Sequence, residues 1–300
     1  MIGSRPIVTF DTSAHNRLAE GGPISEAILA GIKSGMSFRF AGLSIDEIVS
    51  CPDPEKRAMI LTFCARLQLG CSDSIYPPNE LIRNLIVAHF EQPGEFDWRN
   101  VDVRAREYER GIQRRQVLLD SQLSIEQRRE QHAQQKQYQQ MFAGIRPEIE
   151  GVFVASGERA PLKFRDVVNR LQLGEGPLIW QMGKLLYDRA AETDASEAAI
   201  NGFMQHCPPF RALIYAMLMS WYDLAVRDKH AGERFRAGRN DLFMSVYLPY
   251  CDTFITAESK GEQERCLREV ASVAGIDSEI VSYDHFFESF LVSPQNTPPV

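Results

Sequence analysis

The chain has 300 residues and a mass of 34.0 kDa, enough to bury a substantial core in about one to three domains. Its formal net charge of −7 excludes a surface given over wholly to nucleic acid, which needs clustered Lys and Arg, although a local basic groove is compatible with it. The six cysteines never fall at C-x-x-C spacing and have no paired histidines nearby, which argues against a zinc site and reads as mostly buried free thiols in a reducing compartment. The longest apolar run, Ala212 to Tyr222, is too short to span a bilayer, and no basic flank leads into an apolar signal segment. A cytoplasmic protein with no membrane partner is expected.

In chain order, "RPIVTFDTSAHNRL" opens with a strand over Ile7 to Phe10 that runs straight into Asp11. A loop and a helix follow between His15 and Gly35, with Ile24, Ile28, Leu29 and Ile32 at helical spacing and His15 as a surface side chain. Phe38 and Phe40 alternate against Arg39 in a second strand that Ser44 ends, and two helices follow, separated by the corner from Pro52 to Pro54. "SIYPPNELIRNLIVAHF" reads as a short strand, a Pro-Pro corner and a helix capped by Asn79.

From Asp97 to about Phe235 the chain turns rich in Arg, Gln and Glu and predicts long, solvent-facing helices; the apolar stretch "PFRALIYAMLMSWYDLAV" is expected at the centre of its own bundle. Strand and helix punctuation then returns: a helix over "GRNDLFMSVYLPY" capped by Asn240, a short strand in "CDTFITAE", a helix ending at Gly275, and a last strand and helix in "SEIVSYDHFFESFL". The pattern is an α/β frame made from both chain ends and opened by a helical insertion.

Each strand of that frame ends near a carboxylate: Asp11, Glu47, Asp241 and Glu258. Right-handed crossovers make the strands parallel and bring those ends to a common edge. Several carboxylates converging there repel one another unless a cation lies between them, and oxygen-only sites suit Mg²⁺ or Mn²⁺. Each acid also has a simpler reading. Asp11 could cap the following turn, and Ser44-x-x-Glu47 has the form of a capping box. Asp241 would be stabilised at any helix N-terminus, and Asp46 projects about 100° around the helix from Glu47.

The motifs "IVTFDTSAHNRL", "LSIDEI", "NDLFMSVYLPYCDTFITAE" and "EIVSYDHFFESF" resemble, in this order, the PIN-like domain family of metal-dependent ribonucleases. The resemblance implies a three-layer α/β/α fold with a parallel central sheet. It would be built from residues 1–92 and 238–292, interrupted by a mostly α-helical insertion over 93–237 and followed by a disordered tail over 293–300. It also implies Asp11, Glu47, Asp241 and Glu258 as catalytic, metal-holding acids, with Thr256 as the Thr of the last motif. The family usually has Asp where this chain has Glu258, and Asp252 at the start of the same strand competes for that role. Thr12, Ser13, Asn240 and Thr256 could bond a ligating carboxylate or a phosphate. The implied activity is Mg²⁺- or Mn²⁺-dependent hydrolysis of phosphodiester bonds, with RNA ahead of DNA as the nucleic-acid partner.

The chief alternative is a PIN-like scaffold that no longer cuts, with the helical insertion docking a protein partner. "FDTS" is also similar to the haloacid-dehalogenase phosphatases, but those want a second Asp where this chain has Ser13. Arg17, Arg39, Arg239 and Lys260 are the expected phosphate contacts, and the Arg-rich stretch around Tyr108 reads first as a solvated helix face.

Overall fold

The computed structural model describes residues 6–34, 36–69, 71–133, 136, 140, 163–172, 178–223, 239–258 and 262–292. Its centre is a five-stranded, all-parallel sheet in the order β3-β2-β1-β4-β5, with β1 Ile7–Phe10, β2 Ser37–Ala41, β3 Cys71–Ile75, β4 Thr253–Thr256 and β5 Glu279–Ser282. β1 pairs with β2 on one side and with β4 on the other. The chain therefore winds outward from β1 to β3, returns, and winds outward again to β5. Such a reversal puts the connecting helices on opposite faces of the sheet, the doubly wound arrangement.

One face is covered by α1 Thr12–Ala19, α2 Pro23–Ser34, α3 Gly42–Val49, α4 Pro54–Gln68 and α6 Arg106–Arg114. Val8, Phe10, Phe38, Phe40, Ile255 and Val281 turn towards it, with the Phe10 and Phe38 rings stacked at 5.3 Å. The chain continues over the other face with α5 Pro78–Glu91, α7 Phe164–Gln172, α8 Leu178–Ala191, α9 Glu197–His206, α10 Pro208–Tyr222 and α11 Arg239–Phe243. A 3₁₀ segment, Met244–Tyr250, leads into β4, and α12 Glu262–Ala274 joins β4 to β5. α13 Tyr283–Val292 ends the described chain.

Several local expectations are corrected. The stretch after Asp11 is helical at once, and α1 and α2 are separated by Gly21 and Gly22 at φ of 83° and 101°, a left-handed conformation that suits glycine. α3 starts at Gly42 behind Ala41 rather than at Ser44. Gly42 is required there, since a Cβ would lie 2.6 Å from Ile75 O and Pro77 N of the neighbouring strand's exit. Pro77, not Asn79, precedes α5, so Pro78 takes the first helical position, where its missing N–H costs nothing. The helix expected over "GRNDLFMSVYLPY" lasts five residues before tightening into the 3₁₀ segment that holds Pro249.

α10 is not the centre of a separate bundle. Phe210, Ile214, Leu218 and Trp221 belong to one continuous apolar cluster with Ala41, Ile75, Phe254 and Ile280 of the sheet. Helices of the stretch 178–222 thus cover a face of the sheet that would otherwise expose apolar side chains. Residues 293–300, expected as a tail, lie outside the described residues, as do 141–162 and 224–237 of the expected insertion.

Candidate functional site

Asp11 ends β1 because its side chain begins α1. With φ −75° and ψ 176° it stands in the N-cap position, and its Oδ1 accepts the Ala14 amide at 2.7 Å. Ser13 Oγ lies 2.8 Å from both carboxylate oxygens and accepts the Ala257 amide at 2.9 Å. Thr256 Oγ1 lies 2.7 Å from Oδ2. Asp11 therefore ties β1, α1 and the exit of β4 together, at the point where strand order reverses. That crevice is where open α/β sheets hold ligands. The side chain is 2% exposed, and burial raises its carboxyl above the ordinary value despite the Ala14, Thr256 and Ser13 hydrogen bonds that pull it down.

Glu47, on the second turn of α3, reaches the same edge. Its Oε2 accepts the Thr12 hydroxyl, so the capping box with Ser44 is not formed; Ser44 Oγ instead points at Phe10 O, 3.4 Å away. Asp46, which the helical wheel sets aside, is drawn in from another direction. Tyr108 of α6 donates to its Oδ1 at 2.7 Å. Burial, with lesser contributions from Glu80, Glu130 and Glu47, pushes its carboxyl up to about 7. No sequence signal paired Asp46 with Tyr108, because the two are 62 residues apart and meet only through packing.

The exit of β4 supplies the rest. Glu258 Oε2 accepts the Gln263 backbone amide at 2.7 Å, in the first turn of α12. The Gln263 side chain, 2% exposed, lies 2.6 Å from Thr256 Oγ1 and 3.5 Å from the Asp241 carbonyl oxygen. α11 therefore brings Asp241 to the same network; Asn240 is its second residue. Gln263 has no sequence signature, because glutamine in a first helical turn carries no distinctive pattern.

Asp252 is corrected outright. Its Oδ2 accepts the Ile7 amide at 2.7 Å and its own amide donates to Ile7 O, at the entrance of β1 and β4. It is a full strand, about 13 Å, from the acids at the exit. Arg39 lies at that end too, held by Asp73 at 2.5 Å and by the Tyr250 carbonyl. Both border a cleft of about 450 Å³ with Trp98, Arg99 and Arg104, whose arginines are already engaged by Asp73, the Trp98 ring and Glu109. Arg17 packs on the Tyr283 ring and pairs with Asp284. Lys260 and the Arg239 side chain lie outside the described residues. His15 is buried, not exposed, stacked on Phe40 at 5.4 Å, and burial holds its imidazole down at about 3.

The structure thus gathers the Asp11, Glu47 and Glu258 side chains around one strand-exit edge, linked through Thr12, Ser13, Thr256 and Gln263, and brings Asp241 to it through its main-chain carbonyl. No three of these four carboxylates have ligand atoms all within 4.8 Å of one another. Among the described residues the group with ligand atoms all within 4.8 Å of one another is Asp223, Glu262 and Cys266, beside this edge. There the Arg265 guanidinium already supplies positive charge, 2.7 Å from Glu262 and 3.6 Å from Asp223.

The donors around the edge are hard oxygens of the type Mg²⁺ and Mn²⁺ take. Asp11 has neutral partners and no ion pair among the described residues. Ser13, Ala14 and Thr256, with the Ala257 amide pulling in the same sense, take up most of a carboxylate's four lone-pair directions, so an ion here would be held through one oxygen at most and would keep several waters.

No family model matches the chain, no curated protein matches it, and no solved structure matches it significantly. No described helix is long and apolar enough to cross a membrane.

Proposed function

We propose that this chain is a PIN-like nuclease that hydrolyses phosphodiester bonds, RNA before DNA, with a Mg²⁺ or Mn²⁺ ion at the exit edge of the sheet. The observation that carries this reading is the position of Asp11 and Thr256 at the β1/β4 switch point, with Glu47, Asp241 and Glu258 bordering it. Asp11, Glu47 and Asp241 would hold the ion, and Glu258 would orient water. A bound ion supplies a water of lowered pKa and neutralises charge on the leaving oxygen. The chain's own part is to fix Asp11 by its N-cap bond and to aim Glu47, on the second turn of α3, through Thr12.

The test is cleavage of mixed-sequence single-stranded RNA and DNA by purified protein with and without Mn²⁺. Asp11→Asn should abolish metal-dependent cleavage while circular dichroism stays native. Cleavage by the variant at the parent's rate would remove the assigned chemistry.

A second reading has its own support. Ser13, Ala14, Thr256 and the Ala257 amide already hold Asp11, and no three of the candidate acids have ligand atoms within 4.8 Å of one another. On that reading Asp11 is a structural clamp, the frame does not cut, and the helices dock a protein. Thermal denaturation with millimolar Mn²⁺ separates the two, because an ion bound only by the native state raises the melting temperature.

A further inference from the structure

Thr256 Oγ1 stands 2.7 Å from Asp11 Oδ2 and 2.6 Å from Gln263 Oε1. A hydroxyl has one proton and cannot serve both acceptors. With Asp11 ionised, as a metal ligand must be, the proton goes to the carboxylate. Gln263 then satisfies Thr256 only with its amide turned over, so that the NH₂ group donates to Oγ1 at 2.6 Å in exchange for its long, 3.5 Å bond to the Asp241 carbonyl; the two amide ends are alike in shape. The order of donation becomes Gln263 Nε2 to Thr256 Oγ1 to Asp11 Oδ2. The same residue's backbone amide grips Glu258 Oε2 at 2.7 Å.

We propose that Gln263 is the positioning residue of this site. It orients Asp11 through the Thr256 hydroxyl and anchors Glu258 through its own main chain, so that one buried glutamine sets the geometry of two candidate ligands. The inference rests on the metal-site reading above and concerns ion uptake rather than turnover. Residues that orient ligands without touching the ion typically account for about 10–100-fold in metal affinity.

The experiment is calorimetric titration of Mn²⁺ into the full chain and its variants, each checked first for native circular dichroism and a cooperative melt. Gln263→Met keeps the side chain's length and removes the donor; about tenfold or greater weakening of Mn²⁺ binding is expected. Thr256→Val should weaken binding to a similar degree. Thr256→Ser, which keeps the hydroxyl, should retain parental affinity. The Gln263→Met/Thr256→Val double variant should be no weaker than the worse single variant, as required of two links in one chain. If Gln263 only packs, Gln263→Met lowers the melting temperature and leaves Mn²⁺ affinity unchanged, and the inference fails while the metal site stands. Additive losses in the double variant would also overturn it. A parent protein that takes up no Mn²⁺ overturns the metal-site reading and the inference with it.

Discussion

The Thr256 hydroxyl lies 2.7 Å from Asp11 Oδ2 although 245 residues separate the two. This contact closes the crevice between β1 and β4, the strands at which the chain changes its direction of winding. It makes Asp11 a structural clamp and a candidate ligand at once, and the two roles can be separated by substitution. Asp11→Ala removes the cap and strands the Ser13 and Thr256 hydroxyls, and should lower unfolding free energy by about 1–3 kcal/mol in urea denaturation. Asp11→Asn keeps an acceptor for the Ala14 amide and should lose less.

Asp252 stands at the opposite end of β4, where it accepts the Ile7 amide. Asp252→Ala is therefore expected to leave Mn²⁺ binding and any metal-dependent cleavage at the parental level while reducing stability by about 1 kcal/mol. Loss of Mn²⁺ binding in a variant that still folds would show that the entrance and exit of the strand had been assigned the wrong way round.

His15 gives the acid limb of the stability profile. Its imidazole is held down at about 3 by burial, against an ordinary value of 6.5. In the unfolded chain it takes up a proton near pH 6.5, so the unfolded state binds more protons between pH 6.5 and 3, and stability falls as pH is lowered through that window. His15→Phe, which keeps a ring between Phe10 and Phe40, should flatten this limb by up to a few kcal/mol. Chemical denaturation at pH 4 and pH 7 measures it.

Asp46 acts in the other direction. Its carboxyl is raised to about 7 from an ordinary 3.8, so the native state binds the extra proton between those values. Its contribution is present below pH 4 and is lost as pH rises through 7. Asp46→Asn, measured in chelator, should remove this loss and make the protein more stable than the parent at pH 8, by on the order of 1–3 kcal/mol. An unchanged pH profile would mean that the carboxyl is better solvated than its burial implies.

Gly42 is fixed by close approach. Gly42→Ala places a Cβ 2.6 Å from Ile75 O and Pro77 N, both main-chain atoms, so β3 or α3 must shift. A loss of about 2–4 kcal/mol is expected by urea denaturation, beyond the usual cost of overpacking because backbone cannot rotate away.

Much of the frame was legible in the sequence. β1, β2 and β4 are short apolar or alternating runs, and two-sided burial in a parallel sheet demands that composition. The carboxylates after them were legible because strand ends and helix starts are marked by residue type. Asp252 directly precedes β4 and Glu258 lies two residues beyond it, so the parallel sheet expected from the sequence already separates them, and the structure adds the Ile7 amide as the partner of Asp252. Other features depend on tertiary packing. Tyr108 and Gln263 have no local signature, since each matters through a partner brought near by the fold. The role of α10 was misjudged because an all-round apolar helix fits the heart of a bundle and the underside of a sheet equally well.

The central claim is that one divalent ion binds where β1 and β4 diverge. Diffraction from Mn²⁺-soaked crystals, recorded for the anomalous signal of manganese, tests it most directly. The account predicts a single strong peak at bonding distance from Asp11 and at least one of Glu47, Asp241 and Glu258. A peak confined to Asp223, Glu262 and Cys266, or none at full Mn²⁺ loading, would contradict it.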